Sequence, residues 1–314
     1  MNKALRLSSA LLVVALVGCP VLGPWSEPVP LTELNSTFGD NGTCMSRDGL
    51  SVYFNSNRPG GIGSNDILVS RRADKTEPWG APVNLGSAVN SSADDQGPTL
   101  SHDGRVLIFL SNRAGGFGEF DLYVSRRTDP EDDFGWGAPE NLGSFVNTSE
   151  REQAPHLQKR GEDGNHTLYF SRGMPPDILS ARVNNDGEVL GDATPLDELN
   201  TSSQDVGVSV SRNGLELVFH SDRPGGFGSF DLYVSTRASV HDSWSAPQNM
   251  GGLINTAVGE FSADLSRDGR TLLFTAALRP GGMGGTDIWM STRTLNGGGD
   301  DGGDDEDEND GDDD

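Results

Sequence analysis

The chain has little cysteine and far fewer basic than acidic residues. Its 314 residues include 2 cysteines, which excludes a scaffold stapled by several disulfides. There are 23 lysines and arginines against 47 aspartates and glutamates, which gives a formal net charge of −24. No run of lysine or arginine interrupts this acidic background. Because such a surface repels phosphate backbones, we expect no nucleic-acid partner.

No apolar run is long enough to cross a bilayer permanently. The longest, from Ala10 to Val17, follows Lys3 and Arg6 and is typical of a secretory signal, so residues 1–18 are predicted to be a signal peptide. The letters LVGC that end at Cys19 resemble the lipobox of bacterial lipoproteins, which implies a lipid on Cys19. The alternative is an ordinary cleavage site. Cys19 could then form a disulfide with Cys44.

The lipobox resemblance implies a place in the cell. A lipid anchor holds a soluble domain at a membrane surface, and Pro20 after the cysteine implies the outer membrane, facing the periplasm or the cell surface. Residues 19–24 are predicted to be a short linker. At the other end, residues 294–314 combine glycine with acid and offer nothing to bury, so we expect a disordered tail.

Between these ends, one module recurs five times. The copies lie about 55 residues apart, a period typical of the blades of a β-propeller. Each copy opens with an acidic or amide residue followed by glycine, which is the strongest short signal for a hairpin turn. The five turns are Asp48-Gly49, Asp103-Gly104, Asp163-Gly164, Asn213-Gly214 and Asp268-Gly269.

Each copy predicts four short strands. In the second copy, residues 97–101 and 105–110 flank the turn as strands one and two, and residues 121–125 form strand three. The fourth strand carries the pattern Trp-x-x-Pro-x-x-Leu, as at Trp136, Pro139 and Leu142. Because proline is tolerated at a sheet edge, this strand is placed on the outside of the blade. The third copy is the weakest, since Val189 stands where tryptophan is expected.

The two ends of the repeat region predict how the ring closes. A fourth-strand module, with Trp25, Pro28 and Leu34, precedes the first hairpin, whereas no such module follows the last hairpin near Arg293. The N-terminal strand should therefore complete the fifth blade, which leaves only short, protected edges. The predicted fold is all-β: a five-bladed β-propeller of four-stranded antiparallel blades over residues 25–293, closed by the N-terminal strand.

Two segments carry a family resemblance. Residues 266–274 and 221–235 resemble the WD40-like repeats of TolB-type propellers, and the spacers between blades resemble those of envelope lipoproteins. The chain has five repeats where TolB has six blades, and it carries no OmpA-like domain, so peptidoglycan binding gains no support. The resemblance implies an envelope protein that binds another protein or a glycan.

Charged residues recur at three positions of the repeat that should share one face of the propeller. Five carboxylates precede the innermost strands: Asp40, Asp95, Glu152, Asp205 and Glu260. Five arginines stand in the glycine-rich loops between strands two and three: Arg58, Arg113, Arg172, Arg223 and Arg279. Five aspartates start the third strands: Asp66, Asp121, Asp177, Asp231 and Asp287.

Two interpretations of this face stay open. Each arginine could pair with carboxylates of its own blade and hold the loop in place. Alternatively, a partner could bind the five carboxylates before the innermost strands together with the five arginines of the loops. The carboxylate oxygens could also hold a cation such as calcium. The glycine-rich loops lack the lysine and following helix of a phosphate cradle, so no nucleotide is expected.

The innermost strands also differ from one another at one polar position, occupied by Cys44, Thr99, His156, Ser209 and Asp264. The blade order puts serine between histidine and aspartate, whereas a catalytic triad needs histidine in the middle, so no catalytic residue is predicted. The sequence thus predicts a non-catalytic module, without a required cofactor, that binds an envelope protein or glycan. The alternative is an envelope hydrolase that cleaves glycans with a pair of the carboxylates at the channel mouth.

Overall fold

The computed structural model describes residues 21–159 and 165–296. Within these ranges the chain forms short β-strands joined by turns, and no helix is long and apolar enough to cross a bilayer. The predicted signal peptide, Cys19, the third turn at Asp163-Gly164 and the tail after residue 296 lie outside the described residues. The strands are β1 (Val21–Leu22), β2 (Val29–Pro30), β3 (Asp40–Met45), β4 (Ser51–Ser56), β5 (Asp66–Arg71), β6 (Val83–Asn84), β7 (Asp95–Leu100), β8 (Val106–Ser111), β9 (Asp121–Arg126), β10 (Glu140–Asn141), β11 (Glu152–Lys159), β12 (His166–Gly173), β13 (Pro176–Val183), β14 (Thr194–Pro195), β15 (Asp205–Val210), β16 (Glu216–Ser221), β17 (Asp231–Thr236), β18 (Gln248–Asn249), β19 (Gly259–Leu265), β20 (Thr271–Ala277), β21 (Thr286–Thr292) and β22 (Leu295–Asn296).

Five sheets of four antiparallel strands form the five blades, which confirms the predicted all-β propeller. In each blade the strand after the interblade spacer is innermost. The outermost strand follows a proline in four blades, and in the third it contains Pro195. From the inside out, the blades are β3-β4-β5-β6, β7-β8-β9-β10, β11-β12-β13-β14, β15-β16-β17-β18 and β19-β20-β21-β2.

The ring closes as the sequence predicts. Strand β2 pairs with β21 of the fifth blade, with Val29 opposite Met290 and Pro30 opposite Trp289. Next to this closure, β1 pairs with β22 in a small separate ladder. The paired residues Val21–Leu22 and Leu295–Asn296 lie just outside the predicted propeller range of 25–293.

The outer strands are only two residues long, and a tryptophan preceding four of them supplies most of the packing there. In the second blade the Arg127 guanidinium lies 4.4 Å from the centroid of the Trp136 ring. The same stacking joins Arg72 to Trp79, Arg237 to Trp244 and Arg293 to Trp25. The third blade has neither partner; instead Val189 forms a β-bridge with Val183 and packs into an apolar cluster.

The core lies between neighbouring blades rather than within one. A phenylalanine on each second strand has no exposed surface, and burying such a ring stabilises the fold by roughly 1.5–3 kcal/mol. These residues are Phe54, Phe109, Phe170, Phe219 and Phe274. One cluster joins Tyr53 of the first blade to Phe109, Tyr123 and Trp136 of the second. Each sheet is therefore held by its neighbours, which fixes both channel mouths.

Candidate functional site

On one face of the propeller, each blade contains an ion pair between the predicted arginine and the predicted carboxylate. This loop face carries the connections between strands two and three and those between successive blades. The nitrogen–oxygen separations are 2.6 Å for Arg58–Asp40, 2.6 Å for Arg113–Asp95, 2.9 Å for Arg172–Glu152, 2.6 Å for Arg223–Asp205 and 3.6 Å for Arg279–Glu260. The structure thus brings all ten residues together in pairs, one pair per blade.

Four of the five paired carboxylates have both oxygens engaged by hydrogen bonds or ion pairs within the fold, and the exception is Oε2 of Glu152, which is buried without a partner in the described structure. The five carboxylates have no exposed side-chain surface, and the arginine side chains are 7–23% exposed. In the second blade, the Arg113 guanidinium also donates to the Val89 carbonyl at 2.9 Å and lies over the Phe109 ring. The amide and hydroxyl of Ser91 donate to the second oxygen of Asp95. A partner could reach these carboxylates only by opening the pairs, and the predicted binding role of the ten residues stays a prediction.

The third-strand aspartates hold the glycine-rich loops. Asp121 accepts hydrogen bonds from the amides of Phe117 at 2.6 Å and Gly118 at 3.1 Å. A Cβ on Gly116 would lie 1.9 Å from the Asp121 carboxylate, so only glycine fits there. The same pair of amide bonds recurs at Asp66, Asp231 and Asp287. In these four blades the loop is therefore fixed in shape by its aspartate, whereas Asp177 of the third blade lies opposite Arg172 in the ladder between β12 and β13.

Each of these loops displays a large apolar side chain next to a glycine, and the fifth loop also exposes Leu278 (71%) directly after strand β20. We call the set the apolar crown, and its members are Ile62 (44% exposed), Phe117 (52%), Met174 (85%), Phe227 (54%) and Met283 (47%). All five lie in the connections between strands two and three, which emerge on the loop face. The sequence analysis missed the crown, although a recurring Gly-Gly-apolar-Gly pattern marks it in four of the copies.

The central channel is lined by the polar position that varies between blades. We call Cys44, Thr99, His156, Ser209 and Asp264 the channel collar. Each member accepts a hydrogen bond from a backbone amide of the next blade. The bonds run from Leu100 to Cys44 (3.3 Å), Leu157 to Thr99 (3.1 Å), Val210 to His156 (3.1 Å), Leu265 to Ser209 (2.9 Å) and Met45 to Asp264 (2.8 Å).

A β-bulge two residues earlier aims each collar side chain at the next blade. The first strands all change register there, at Gly42, Gly97, Ala154, Gly207 and Ser262. All five residues have positive φ, with values between 50° and 69°. A bulge bends its strand and redirects the following side chain. The collar therefore links all five blades in a closed circle of hydrogen bonds.

Burial changes the protonation of three collar members. It raises the pKa of the Asp264 carboxyl to about 7 and lowers the pKa of His156 to about 4. It also raises the pKa of the Cys44 thiol, which is buried and without a disulfide in the described structure. Among the described residues no hydrogen bond joins His156 to Ser209, since both side chains accept from the next blade.

At the opposite mouth of the channel, the structure assembles a cationic cluster. We call it the basic ring: Arg47, His102, Lys159, Arg212 and Arg267, one from each blade, around a cavity of ≈ 260 Å³. This turn face carries the Asp-Gly and Asn-Gly hairpins. The expectation that the chain has no lysine or arginine cluster was wrong, because residues far apart in sequence meet around the axis. The recurring signal was a basic residue after the serine of Ser-x-Asp/Asn-Gly.

A shallow groove between blades four and five adjoins this mouth. Its volume is ≈ 780 Å³, and it shares Arg212 and Arg267 with the channel cavity. Its carboxylates come from Glu216, Asp242 and Asp268. Glu216 is paired with Arg293 at 2.6 Å. The groove lies off the propeller axis, so it breaks the fivefold regularity of the face.

The described residues contain no group of three or more histidine, cysteine, aspartate or glutamate side chains that could hold a metal ion. The carboxylates considered for calcium are separated into different blades and paired with arginine. A calcium-dependent role gains no support from this geometry.

Comparison with known proteins identifies the fold. No protein-family model matches the sequence, and no curated protein matches it. The catalytic domain of a family 62 α-L-arabinofuranosidase from Coprinopsis cinerea superposes with a TM-score of 0.60 at 13% identity, covering 88% of this chain and 98% of that one. An α-L-arabinofuranosidase from Podospora anserina gives 0.57 at 11% identity, with coverage of 88% and 98%.

A TolB protein from Agrobacterium tumefaciens gives a lower TM-score of 0.45 at 16% identity, covering 82% of this chain and 79% of that one. This likeness is too weak to support the TolB resemblance, which stays a prediction. At such low identities, the likeness to the arabinofuranosidases shows a shared five-bladed propeller fold.

Proposed function

We propose that the protein is a binding module of the bacterial envelope, anchored through Cys19, and that it docks a protein partner on its loop face. The observation that carries this proposal is the apolar crown. Soluble proteins seldom display several large apolar side chains on one face, and such surfaces commonly mark interaction sites. Here the exposed side chain occurs in every blade, at 44–85% exposure.

The loops that carry the crown support a docking role. In four of the five blades the loop is held by two hydrogen bonds from its own amides to a buried aspartate, as at Asp231 below Phe227. A pre-ordered loop loses little conformational entropy when a partner binds, so more of the contact energy appears as affinity. The buried carboxylate–arginine pairs beneath the loops hold them in position.

Exposed neighbours widen the crown at the second, fourth and fifth blades. At the fifth blade, Leu278 (71% exposed) and Phe38 (41% exposed) lie on the same face. In the interblade connections that adjoin the second and fourth blades, Phe145 is 51% exposed and Leu253 is 41% exposed. A Cβ added at Gly252 would lie 3.1 Å from the Phe227 ring, so Phe227 and this connection are in contact distance. Aromatic anchors of this kind contribute most of the binding energy in protein interfaces.

Photo-crosslinking tests the docking face. A crosslinking amino acid at position 117 or 227, in cells expressing the full chain, should trap a defined envelope protein. The variant Phe117→Ser/Phe227→Ser should then reduce capture of that protein by the purified domain at least about tenfold, since each buried aromatic contributes more than 1 kcal/mol.

The matched control is Phe134→Ser/Val240→Ser. These side chains are 53% and 45% exposed and lie in connections between strands three and four, on the turn face. They should leave capture unchanged. Equal loss of capture in both double variants, or no crosslink from the crown, would refute the docking face. A crown-dependent retention on an insoluble glycan would replace the protein partner with a glycan.

A glycan hydrolase is the second candidate function. The solved structures that resemble this fold include arabinofuranosidases, and the Podospora anserina enzyme was solved with cellotriose bound. Glycoside hydrolysis needs two carboxylates that flank the scissile bond. The five loop-face carboxylates that pair with arginine have no exposed side-chain surface, whereas the off-axis groove contains Asp242 and Asp268 beside Arg212. The groove is therefore where this candidate is tested.

The assay uses chromogenic arabinofuranosides, arabinan and xylo- and cello-oligosaccharides with the purified domain. If the groove is catalytic, Asp242→Asn should lower kcat at least about a hundredfold, as expected for loss of an acid or base. Asp48→Asn, which changes the turn aspartate of the first blade, should retain activity. No release of sugar from any of these substrates would remove the hydrolase candidate.

A further inference from the structure

The basic ring collects five cationic or ionisable side chains at one end of the channel of an acidic protein. Arg47, His102, Arg212 and Arg267 occupy the second position of the hairpin turns, and Lys159 ends strand β11. Arg47, Lys159 and Arg212 are exposed, while His102 and Arg267 are half-buried. Their shared position follows from the closure of the five blades around one axis.

In the turns that the structure describes, the aspartates do not line this cavity. The Asp48 carboxylate accepts from the Ser46 hydroxyl and from the Leu50 amide at 2.9 Å, so it folds back over its own turn. Asp103 and Asp268 make the same pair of bonds in their turns. Within the described ranges, neither Arg47 nor Arg212 forms an ion pair with a carboxylate. Both residues line the cavity.

The pKa of His102 reflects the positive charges at this mouth of the channel. Burial, together with the charges of Arg47, Lys159, Arg267 and Arg212, lowers the pKa of the His102 imidazole to about 4. All four other members of the ring are thus close enough to act on one imidazole. At neutral pH the ring carries four positive charges and an uncharged imidazole, and Asp264 below it is the one carboxylate that lines the cavity among the described residues.

The size of the cavity limits what can enter. At ≈ 260 Å³ it lies just below the range of small-molecule pockets, roughly 300–1,000 Å³. It therefore suits a small ion or a charged group at the end of a larger molecule. Three arginines line the cavity, and arginine favours an oxyanion because a guanidinium can donate two parallel charge-assisted hydrogen bonds.

We propose that the basic ring is a binding site for a phosphate-type oxyanion, either free or carried as the head of a larger molecule such as a lipid. Arg47 and Arg212 would grip its oxygens, Lys159 and Arg267 would add charge, and His102 would donate or accept a hydrogen bond at the rim. The site lies on the turn face, so it is independent of the apolar crown and of any partner that the crown docks.

Calorimetric titration of the lipid-free domain with pyrophosphate tests the site, with inorganic phosphate as a second probe. We expect one pyrophosphate to bind per chain. Arg47→Gln/Arg212→Gln should raise the dissociation constant at least about tenfold, because charge-assisted hydrogen bonds are lost. Arg105→Gln/Arg270→Gln is the matched control. It removes the same charge from exposed arginines of the same turns, outside the cavity.

The control should retain pyrophosphate affinity within about twofold, because exposed charges outside the cavity are screened by salt. Equal weakening in the two double variants would mean general charge attraction and would overturn the site. So would the absence of pyrophosphate binding at millimolar concentration in low salt.

Co-sedimentation with phosphatidylglycerol vesicles, compared with phosphatidylcholine vesicles, identifies the source of the anion. Binding to phosphatidylglycerol that depends on Arg47 and Arg212 supports a lipid headgroup. Pyrophosphate binding without vesicle binding supports a soluble phosphate compound. Both results agree with the proposed site, and Asp264→Asn should strengthen pyrophosphate binding in either case, since it removes the only carboxylate that lines the described cavity.

Discussion

Each face of the propeller carries a ring of basic side chains, one from each blade, and the two rings differ in what surrounds them. On the loop face, every arginine has a carboxylate of its own blade within 2.6–3.6 Å. On the turn face, Arg47 and Arg212 have no such partner in the described structure, and the nearby aspartates cap their own turns. One set is neutralised inside the fold; the other faces a cavity.

A side chain can recur in every blade because folding requires it or because binding requires it, and its neighbours distinguish the two cases. A charge that is paired and buried contributes to holding a loop, and removing one member leaves its partner unpaired in a low dielectric. A charge that is exposed and has no carboxylate partner in the described structure, as at Arg47 and Arg212, contributes little to folding, so its presence in both blades needs another cause. The residue type is the same in both cases, and only the neighbours distinguish them.

The largest effect is expected from breaking one buried pair. Arg113→Met would leave the Asp95 carboxylate, which has no exposed surface, without its cation. We expect a loss of roughly 3–5 kcal/mol in the free energy of unfolding, as for other buried pairs cut on one side. Denaturant titration measures it.

Arg105→Met is the matched control, because Arg105 is exposed on the turn face of the same blade. It should change the free energy of unfolding by less than about 0.5 kcal/mol. A similarly small loss in Arg113→Met would mean that the loop-face ring is dispensable for folding. The distinction between the two rings would then fail.

A smaller effect is expected from the buried acid below the basic ring. Because burial raises the pKa of Asp264 to about 7, the native state binds more protons than the unfolded chain. The wild-type protein therefore loses stability as pH rises from about 4 to about 7, by roughly 2–4 kcal/mol from this group. Asp264→Asn removes that loss while its amide oxygen can still accept from the Met45 amide.

The stability difference between Asp264→Asn and the wild type should therefore grow in favour of the variant over this pH window and level off above it. Thr99→Val supplies the comparison, since it removes an uncharged collar bond and should cost about 1 kcal/mol at every pH. A difference for Asp264→Asn that stays constant from pH 4 to pH 8 would contradict a raised pKa.

The smallest effect on folding is expected from the basic ring. Arg47→Gln/Arg212→Gln should shift Tm by less than about 2 °C, because neither side chain has an ion pair to lose. Thermal melts in low salt measure this shift in Tm. Reduced repulsion among the cations of the basic ring would raise Tm slightly. A fall comparable to that in Arg113→Met would make the basic ring structural and remove the contrast between the faces.

Much of the fold could be predicted because its signals are local. The Asp-Gly turns, the proline of the outer strands and the unmatched module around Trp25 each follow from backbone geometry within a few residues. One fourth-strand module stands before the first hairpin and none follows Arg293. This predicted that the N-terminal strand closes the ring, as the pairing of Val29 with Met290 shows.

The sites were harder to predict because they depend on distance across the ring. Arg47 and Arg212 meet at one mouth only because three sheets turn through most of a circle between them. Pairing was anticipated for Arg113 and Asp95, yet the sequence did not reveal that the carboxylate would lose all exposed surface. The crown was missed because the exposure of Phe117 depends on Asp121 holding its loop.

The third blade shows a further limit of pattern reading. Val189 stands where the repeat pattern has tryptophan, yet the third blade forms. Val189 pairs with Val183 and packs into an apolar cluster, where the other blades have an Arg–Trp stack. What the pattern requires is a filled volume at the outer strand. Two valines satisfy that requirement with different chemistry.

The pairing of Val29 and Pro30 with the last blade has a consequence for biosynthesis. A growing chain exposes this segment early, yet its partner, Trp289 and Met290, is made last. Contacts between residues so distant in sequence form slowly. Until translation is nearly complete, the first segment has no sheet to join and the channel has a gap, so a chaperone that shields unpaired strand edges would act during that interval.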